Sequence, residues 1–484
     1  MKPFFKRKKT KIERDTSRVI MLVNVPGDLT RVTNIINRVL GLSESKAKRV
    51  LEDTLYNYSD RHKNIEQQLL RHFDRVAEYI PSSTTLSKTT KMLIGSYFTK
   101  EYSIESAALF NPSIVSHPDQ SGVPPGSLRF IMSLRATGEG HISSIVFRSG
   151  VIDSHFAVTF DTVSEFVETP VMLHDPFYEN RLFRLTLQEL DALNETSTRI
   201  LDRLDKFFTY SELKFSIGEV FKDEGFECDG ATINVINWIA DSNYKIKFEE
   251  GTKLSEQVIF PVSENESGGI EDARFVCFFD EDEAESTYYA TYTAYNGHSI
   301  LPQLIKTKDF VTFSITTLNG KAVQNKGLAL FPRKIGGKYA MLSRQDGENN
   351  HIMFSENMHF WHDSQIIQVP EQPWEFIQVG NCGAPIETEH GWLVLTHGVG
   401  PMRQYSLGVI LLDLEDPTKI IARLEEPLMS ANEEEREGYV PNVIYTCGGM
   451  IFNGALIVPY AMSDVTTRIA IVELHELLKR MKFS

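Results

Sequence analysis

From about residue 28 the chain places apolar side chains at three- and four-residue spacing, as in "DLTRVTNIINRVLGLSESKAKRVLEDTLYNYSDRHKNIEQQLLRHFDRVAEYI". That period marks one face of an α-helix. Ser43 or Asp60 is placed to cap a helix, and Pro81 to stop the run. The pattern predicts an N-terminal helical region over 1–105. From "LFNPSIVSHPDQSGVPPGSLRFIMSLRATGEGHISSIVFRSG" the texture changes to short apolar runs broken by Gly, Pro, Asn and Asp, which predicts strands and turns. Helical spacing returns over about 174–245, most clearly in "LFRLTLQELDALNETSTRILDRLDKFF". Strand texture then runs to about 473, and 474–484 ends the chain as a short helix.

Inside the strand texture a weak unit recurs: an apolar strand, a polar loop, a second strand. It is seen in "SLRFIMSLRATGEGHISSIVF", "DARFVCFFDEDEAESTYYATYTAY", "GKYAMLSRQDGENNHIMFS", "HGWLVLTHGVGPMRQYSLGVILLDL" and "NGALIVPYAMSDVTTRIAIVEL". The last four recur about every 50–65 residues, the range of one small antiparallel sheet per unit. The predicted fold is an all-β five-bladed β-propeller over 106–473, with the N-terminal helical region and the helical insertion added to it. A long β-sandwich is the structural alternative.

The 484 residues are 42% hydrophobic and include 30 Phe and 17 Tyr, enough for a large core. Net charge is −15, which argues against a general polyanion-binding surface and hence against nucleic acid. No apolar run approaches a membrane span. The basic start "MKPFFKRKKTKIERD" lacks the apolar stretch of a secretory signal and reads as a disordered, solubilising segment. Cys228, Cys277, Cys382 and Cys447 have neither disulfide nor zinc spacing, so a cytoplasmic setting without a metal site is expected.

A propeller gathers the loops of its blades around one axis, so unexpected polar groups in those loops are the candidate site. They include Arg135, Glu139 and His141 in one Gly-rich loop, and Glu271, Asp272 and Arg274 in "GGIEDARF". Further along are Lys326, Arg344, Asp346 and Glu348, then Asn381, Glu387 and His397, then Glu437 and Asn442. Aromatic residues surround them: Tyr292, Tyr295, Trp361, Trp392, Tyr405 and Tyr439. Singly, each has a bland reading, such as a solvated turn or a satisfied core histidine. Together, aromatic faces and clustered hydrogen-bonding groups suit a sugar, and a carboxyl pair suits cleavage of a glycosidic bond.

The ordered segments "GIEDARF", "YTAYNG", "NKGLALFPRKIGGKYAMLSR", "GNCGAPIETEHGWLVLTHGV", "LLDLEDPTKIIARLEEPLM" and "EREGYVPNV" resemble glycoside hydrolase family 130, which contains β-mannoside phosphorylases and β-mannosidases on a five-bladed propeller. The resemblance implies that Asp272 is the acid, protonating the leaving oxygen through a hydroxyl of the mannosyl ring. Ala273 stands where the family usually has Pro. Lys326, Arg344 and His397 fall on anion-binding positions, with Arg135 joining them from the first unit. Glu387 stands where the compared phosphorylases carry Lys, and could act as a base for water.

A terminal β-mannoside oligosaccharide is therefore the expected substrate, cleaved with inversion. Arg135, His141, Glu271, Arg274, Tyr292, Asn381 and Asn442 are expected around the sugar. Glu387 tips the reading towards hydrolysis, with Asp272 and Glu387 as the catalytic pair. The alternative is a β-mannoside phosphorylase, with inorganic phosphate as co-substrate and no other cofactor, releasing mannose 1-phosphate. A non-catalytic glycan- or protein-binding propeller is a third reading. The N-terminal helices are left open as a homo-oligomer contact.

Overall fold

The computed structural model describes residues 4–81, 84–173, 176–280 and 285–483. The expected boundaries at 1, 174 and 484, and part of the polar loop of the second repeat unit, lie outside the described residues.

The N-terminal region holds four helices, Leu29–Leu40, Glu44–Tyr58, Ile65–Asp74 and Lys88–Tyr97, around a core that includes Val32, Ile36, Leu51, Leu69 and Phe73. Ser43 caps the second helix by accepting from the Lys46 amide at 3.4 Å. Asp60 caps nothing; it lies in the turn after Tyr58, a correction to the alternative cap. The helices are also flanked by a hairpin-like pair, Val19–Val23 against Thr99–Ser103, whose short runs carry no helical period.

Among the described residues five larger sheets follow, and each repeat unit read from the sequence supplies two adjacent strands of a different one. The first contains Ala108–Ser116, Leu128–Thr137 and Ser143–Ile152, with Val158–Phe160 and Val258–Ile259 at its outer side. The second runs Gly269–Phe278, Thr287–Tyr295, Ile300–Thr307, Thr312–Thr317, Tyr244–Lys247, Val171–Leu173. The third is Ala329–Leu330, Tyr339–Ser343, Asn350–Ser355 and Ser364–Gln368. The fourth is built on Gln378–Asn381, Gly391–Val399, Tyr405–Leu412 and Ile420–Arg423, and Lys482–Phe483 joins its edge. The fifth has Ile444–Tyr445, Ala455–Met462 and Thr466–Glu473.

The basic start of the chain completes this fifth sheet rather than remaining a disordered segment. Phe5–Arg7 pairs antiparallel with Ala470–Val472, and Arg7 reaches the Ser430 carbonyl at 2.8 Å. The backbone of an otherwise open edge strand supplies the partners that composition could not reveal.

Because sheet faces alternate in and out, apolar clusters form between neighbouring sheets. Phe147 and Ile145 meet Phe275 and Phe313 between the first and second. Val276 and Phe278 meet Met341 and Trp361 between the second and third. Phe331 and Leu342 meet Trp392 and Val394 between the third and fourth. Leu393 and Leu407 meet Leu456 and Val458 between the fourth and fifth. Ile457 and Ile469 meet Leu109 and Met132 between the fifth and the first. The helical insertion, with helices Asn180–Glu189, Glu195–Leu201, Tyr210–Val220 and Gly230–Asp241, has a core of its own around Phe183, Leu187 and Ile236.

Candidate active site

The leading strand of the second sheet, Gly269–Phe278, changes register between Glu271 and Arg274. Asp272 sits in this bulge with φ +56°, a left-handed conformation that Asp and Asn tolerate better than other non-glycine residues. The bulge breaks the strand's alternation, so the adjacent carboxylates Glu271 and Asp272 both meet the same guanidinium. The leading strand of the first sheet carries a matching bulge between Phe110 and Ser113, with Asn111 at φ +47°. The two bulges face each other: Asn111 Nδ2 donates to Asp272 Oδ1 at 2.7 Å, and the Phe275 amide donates to Ser113 Oγ at 3.0 Å.

Cations enclose this carboxylate. Arg135 Nη1 lies 3.4 Å from Asp272 Oδ1, and its Nη2 donates to Glu271 Oε1 at 2.9 Å. Lys326 Nζ reaches Glu271 Oε2 at 2.5 Å. Arg274 is buried, donating from Nη2 to the Tyr445 hydroxyl at 2.8 Å and from Nη1 to the Asp272 carbonyl at 3.1 Å. Burial pushes the Asp272 carboxyl up, but Arg135, Arg274, the Asn111 hydrogen bond and Lys326 outweigh it, so the group titrates below the ordinary carboxylate range.

Arg344 stands beside Lys326 in the chain's packing: Gly327 approaches the Arg344 Cβ, and Asn381 Nδ2 donates to the Gly327 carbonyl at 2.7 Å. Arg344 Nη1 donates to His397 Nε2 at 2.9 Å. Burial first, then Arg344 and Arg274, push His397 well below the usual imidazole value. His397 Nε2 accepts from Arg344, and its burial favours the neutral imidazole, so it orients that guanidinium. Gly380 makes the arrangement fit, since a Cβ there would lie 2.9 Å from both Arg344 Cδ and His397 Cε1.

Three further expectations are placed differently. Glu387 pairs bidentately with Arg333 at 2.7 and 2.9 Å. It lies opposite Trp392 in the strand register, five residues from His397, about 16 Å at the usual strand rise. With Ile114, Phe275, Pro332 and Met450 it lines a cavity of about 540 Å³ at the other ends of the strands. The base role expected of Glu387 is thereby corrected: a partner cation holds it away from Asp272. Tyr292 is buried, and its hydroxyl donates to Glu266 Oε1 at 2.6 Å, so it belongs to the core and not to the sugar site. Asp346 is consumed in its own turn, accepting from the amides of Glu348 and Asn349 at 2.9 and 2.8 Å. His141 lies in the loop after the strand that carries Arg135, and Asn442 in the segment just before the leading strand of the fifth sheet.

Two contributors escaped the sequence reading. Asn111 is the second residue of "FNPS" as Asp272 is of "EDAR", each in the bulge of its sheet's leading strand, and that match was the available signal. Asp464 lies in the turn between the paired strands of the fifth sheet. Burial and then the Asp272 charge raise its carboxyl to about 6, with Arg135 and Arg403 opposing. Among the described residues no group of three His, Cys, Asp or Glu is arranged to hold a metal ion. Among them, too, no helix is long and apolar enough to cross a membrane.

At one end of a set of packed β-sheets, then, Asp272 stands with its carboxyl held below the ordinary range by convergent arginine and lysine side chains. The chain belongs to glycoside hydrolase family 130, whose profile, described as beta-1,4-mannooligosaccharide phosphorylase, matches residues 232–483. A 1,2-beta-oligomannan phosphorylase of Thermoanaerobacter sp. (strain X514) is 34% identical over 232 residues, 46% of this chain and 75% of that protein. A beta-1,4-mannooligosaccharide phosphorylase of Ruminococcus albus is 30% identical over 271 residues, 53% of this chain and 75% of that one. The solved beta-1,2-mannobiose phosphorylase of Listeria innocua, in complex with beta-1,2-mannobiose, is similar with a TM-score of 0.47 and 21% identity, over 78% of this chain and 92% of that one.

Proposed function

We propose that the chain is an inverting β-mannoside phosphorylase, with its five sheets arranged as the blades of a propeller and Asp272 at the axis. The observation that carries this is the excess of positive charge about Asp272: the four cations Arg135, Arg274, Lys326 and Arg344 stand against the three carboxyls of Glu271, Asp272 and Asp464. Arginine forks and a lysine ammonium are the groups that bind phosphate. Glu387, on which hydrolysis rested, is engaged by Arg333 at the far ends of the strands. The family relatives described as phosphorylases of β-mannosides support the same reading.

In this mechanism a phosphate oxygen attacks the anomeric carbon of the terminal mannosyl unit. The glycosidic C–O bond breaks with inversion, and the proton of Asp272 ends on the leaving oxygen. The resting site holds Asp272 ionised because of the cations beside it. Phosphate brings negative charge to those same cations, which relieves the depression and lets Asp272 take up the proton it must deliver. Asp464 and Asn111 accept and donate hydrogen bonds to the sugar hydroxyls. The free Cys228, Cys277, Cys382 and Cys447 suit a reducing cytoplasm, which is part of the same proposal.

The test is turnover of β-1,2- and β-1,4-mannobiose with and without inorganic phosphate. Release of mannose 1-phosphate only when phosphate is present is expected, with Asp272→Asn slowed by about 100-fold or more while its circular dichroism is unchanged. Free mannose released at the same rate without phosphate would establish hydrolysis instead.

A further inference from the structure

Two loops from neighbouring sheets, the first and the fifth, meet in an aromatic contact that the chemistry at Asp272 does not use. The loop Glu139–His141 follows the strand that carries Arg135. The segment 432–443 leads to the leading strand of the fifth sheet and carries Tyr439. The His141 and Tyr439 rings stack with centroids 5.5 Å apart and planes at 29°. Neither is core: Tyr439 is 65% exposed and His141 is exposed as well. Their place is beside the site. The residue after Tyr439, Val440, donates its amide to the Ser463 carbonyl at 3.1 Å, and Ser463 adjoins Asp464, whose carboxyl feels Asp272 and Arg135.

Both loops are held from below by the N-terminal region. The buried Tyr102 places its hydroxyl 2.9 Å from the Glu139 carbonyl and 3.1 Å from that of Ile142. Gly138 permits that approach, since a Cβ there would lie 2.6 Å from the Tyr102 hydroxyl oxygen. On the other side, Arg7 pairs with the buried Glu435 at 3.0 Å, and the Glu435 carbonyl accepts from Ser463 Oγ at 2.7 Å. Tyr460 donates to the same carboxylate at 2.7 Å. An exposed ring pair costs solvation of apolar surface, yet here two rigid supports keep it standing.

We propose that His141 and Tyr439 form a platform for the leaving-group side of the substrate, stacking against a sugar beyond the mannosyl unit at Asp272, and that the N-terminal region sets chain-length preference by bracing both loops. Pyranose rings present an apolar face of C–H bonds that matches an aromatic face, and a pre-stacked pair loses little freedom on binding. The proposal rests on the reading of this site as one that cleaves β-mannosides.

The experiment is calorimetric titration of β-mannobiose and β-mannotriose into protein carrying Asp272→Asn, with Tyr439→Ala and Tyr439→Phe added separately. Tyr439→Ala is expected to weaken the trisaccharide by about three- to tenfold and the disaccharide by less. Tyr439→Phe, which keeps the ring, is expected to stay within about twofold of the parent. Unchanged trisaccharide affinity in Tyr439→Ala, an equal loss in Tyr439→Phe, or no oligosaccharide binding to the parent overturns the platform. Oligosaccharide binding without turnover of any β-mannoside by the wild-type protein overturns the functional reading and leaves the platform to stand on the affinities.

Discussion

At the scale of single residues, a backbone irregularity decides the chemistry. Glu271 and Asp272 would point to opposite faces of a regular strand, and the bulge brings both onto Arg135. Asp464 is the opposite case, a carboxyl whose charge the fold resists. Its folded value of about 6 lies above that of the unfolded chain, so its contribution is favourable below about pH 4 and is lost as pH rises through about 6. Asp464→Asn therefore gains stability over the wild type at pH 7.5, on the order of 2 kcal/mol or a few degrees in Tm, and the gain shrinks towards pH 4.5. Thermal melts of both proteins across that range check the sign. A gain independent of pH would mean that Asp464 titrates normally. Substituting a site residue with a gain in stability is the usual mark of a group kept for function.

Among the elements, the joint between the N-terminal helices and the first sheet rests on one buried acid. Glu105 Oε1 accepts from Arg18 Nε at 2.9 Å and from Arg148 Nη2 at 2.8 Å, and all three side chains are buried. Arg18 continues to the carbonyls of Ser164 and Ser255 at 2.7 and 2.6 Å, tying the segment before the second sheet to the same point. Such a cluster can be nearly neutral in total yet costly to break, because a lost partner leaves charges stranded in a poor solvent. Glu105→Gln leaves two guanidinium groups uncompensated and is expected to destabilise the protein by about 3–5 kcal/mol. A fall in the urea midpoint measures it; a midpoint unchanged from wild type would show that water reaches the cluster.

For the whole molecule, the start of the chain is tied into the fifth sheet, against the strand Thr466–Glu473. Beyond the Phe5–Arg7 pairing, the amides of Lys8 and Ile12 donate to Ile469 and Thr467 at 2.8 Å, and Arg7 ties the same segment to Glu435. Removing residues 1–13 strips these bonds from the strand Thr466–Glu473 and is expected to lower Tm by about 5 °C or more, given about 1 kcal/mol per lost hydrogen bond. Differential scanning calorimetry checks this, and an unshifted transition would mean that the segment is an ornament on an already closed structure. Because Glu435 also steadies the loop of Tyr439, the same truncation bears on the mouth of the site.

Much was written in the sequence because it depends on local pattern. The period of the apolar residues marked the N-terminal helices, the insertion and the five strand pairs, and ordered motifs pointed to Asp272, Arg135, Lys326 and Arg344 as members of one site. Spacing along a strand, however, does not say which end of the sheet a loop occupies. Glu387 and His397 are only ten residues apart, yet they lie on different strands of one sheet and face opposite ends of it. Nor can pattern foresee that His397 accepts from Arg344, that Tyr292 is spent on Glu266, or that part of the basic N-terminal segment becomes a strand. Those outcomes depend on which charges, hydroxyls and open backbone edges are brought within a few ångströms of each other. The residues were available to a reader of the chain; their partners belong to the tertiary structure, because folding alone sets which groups come within hydrogen-bond distance.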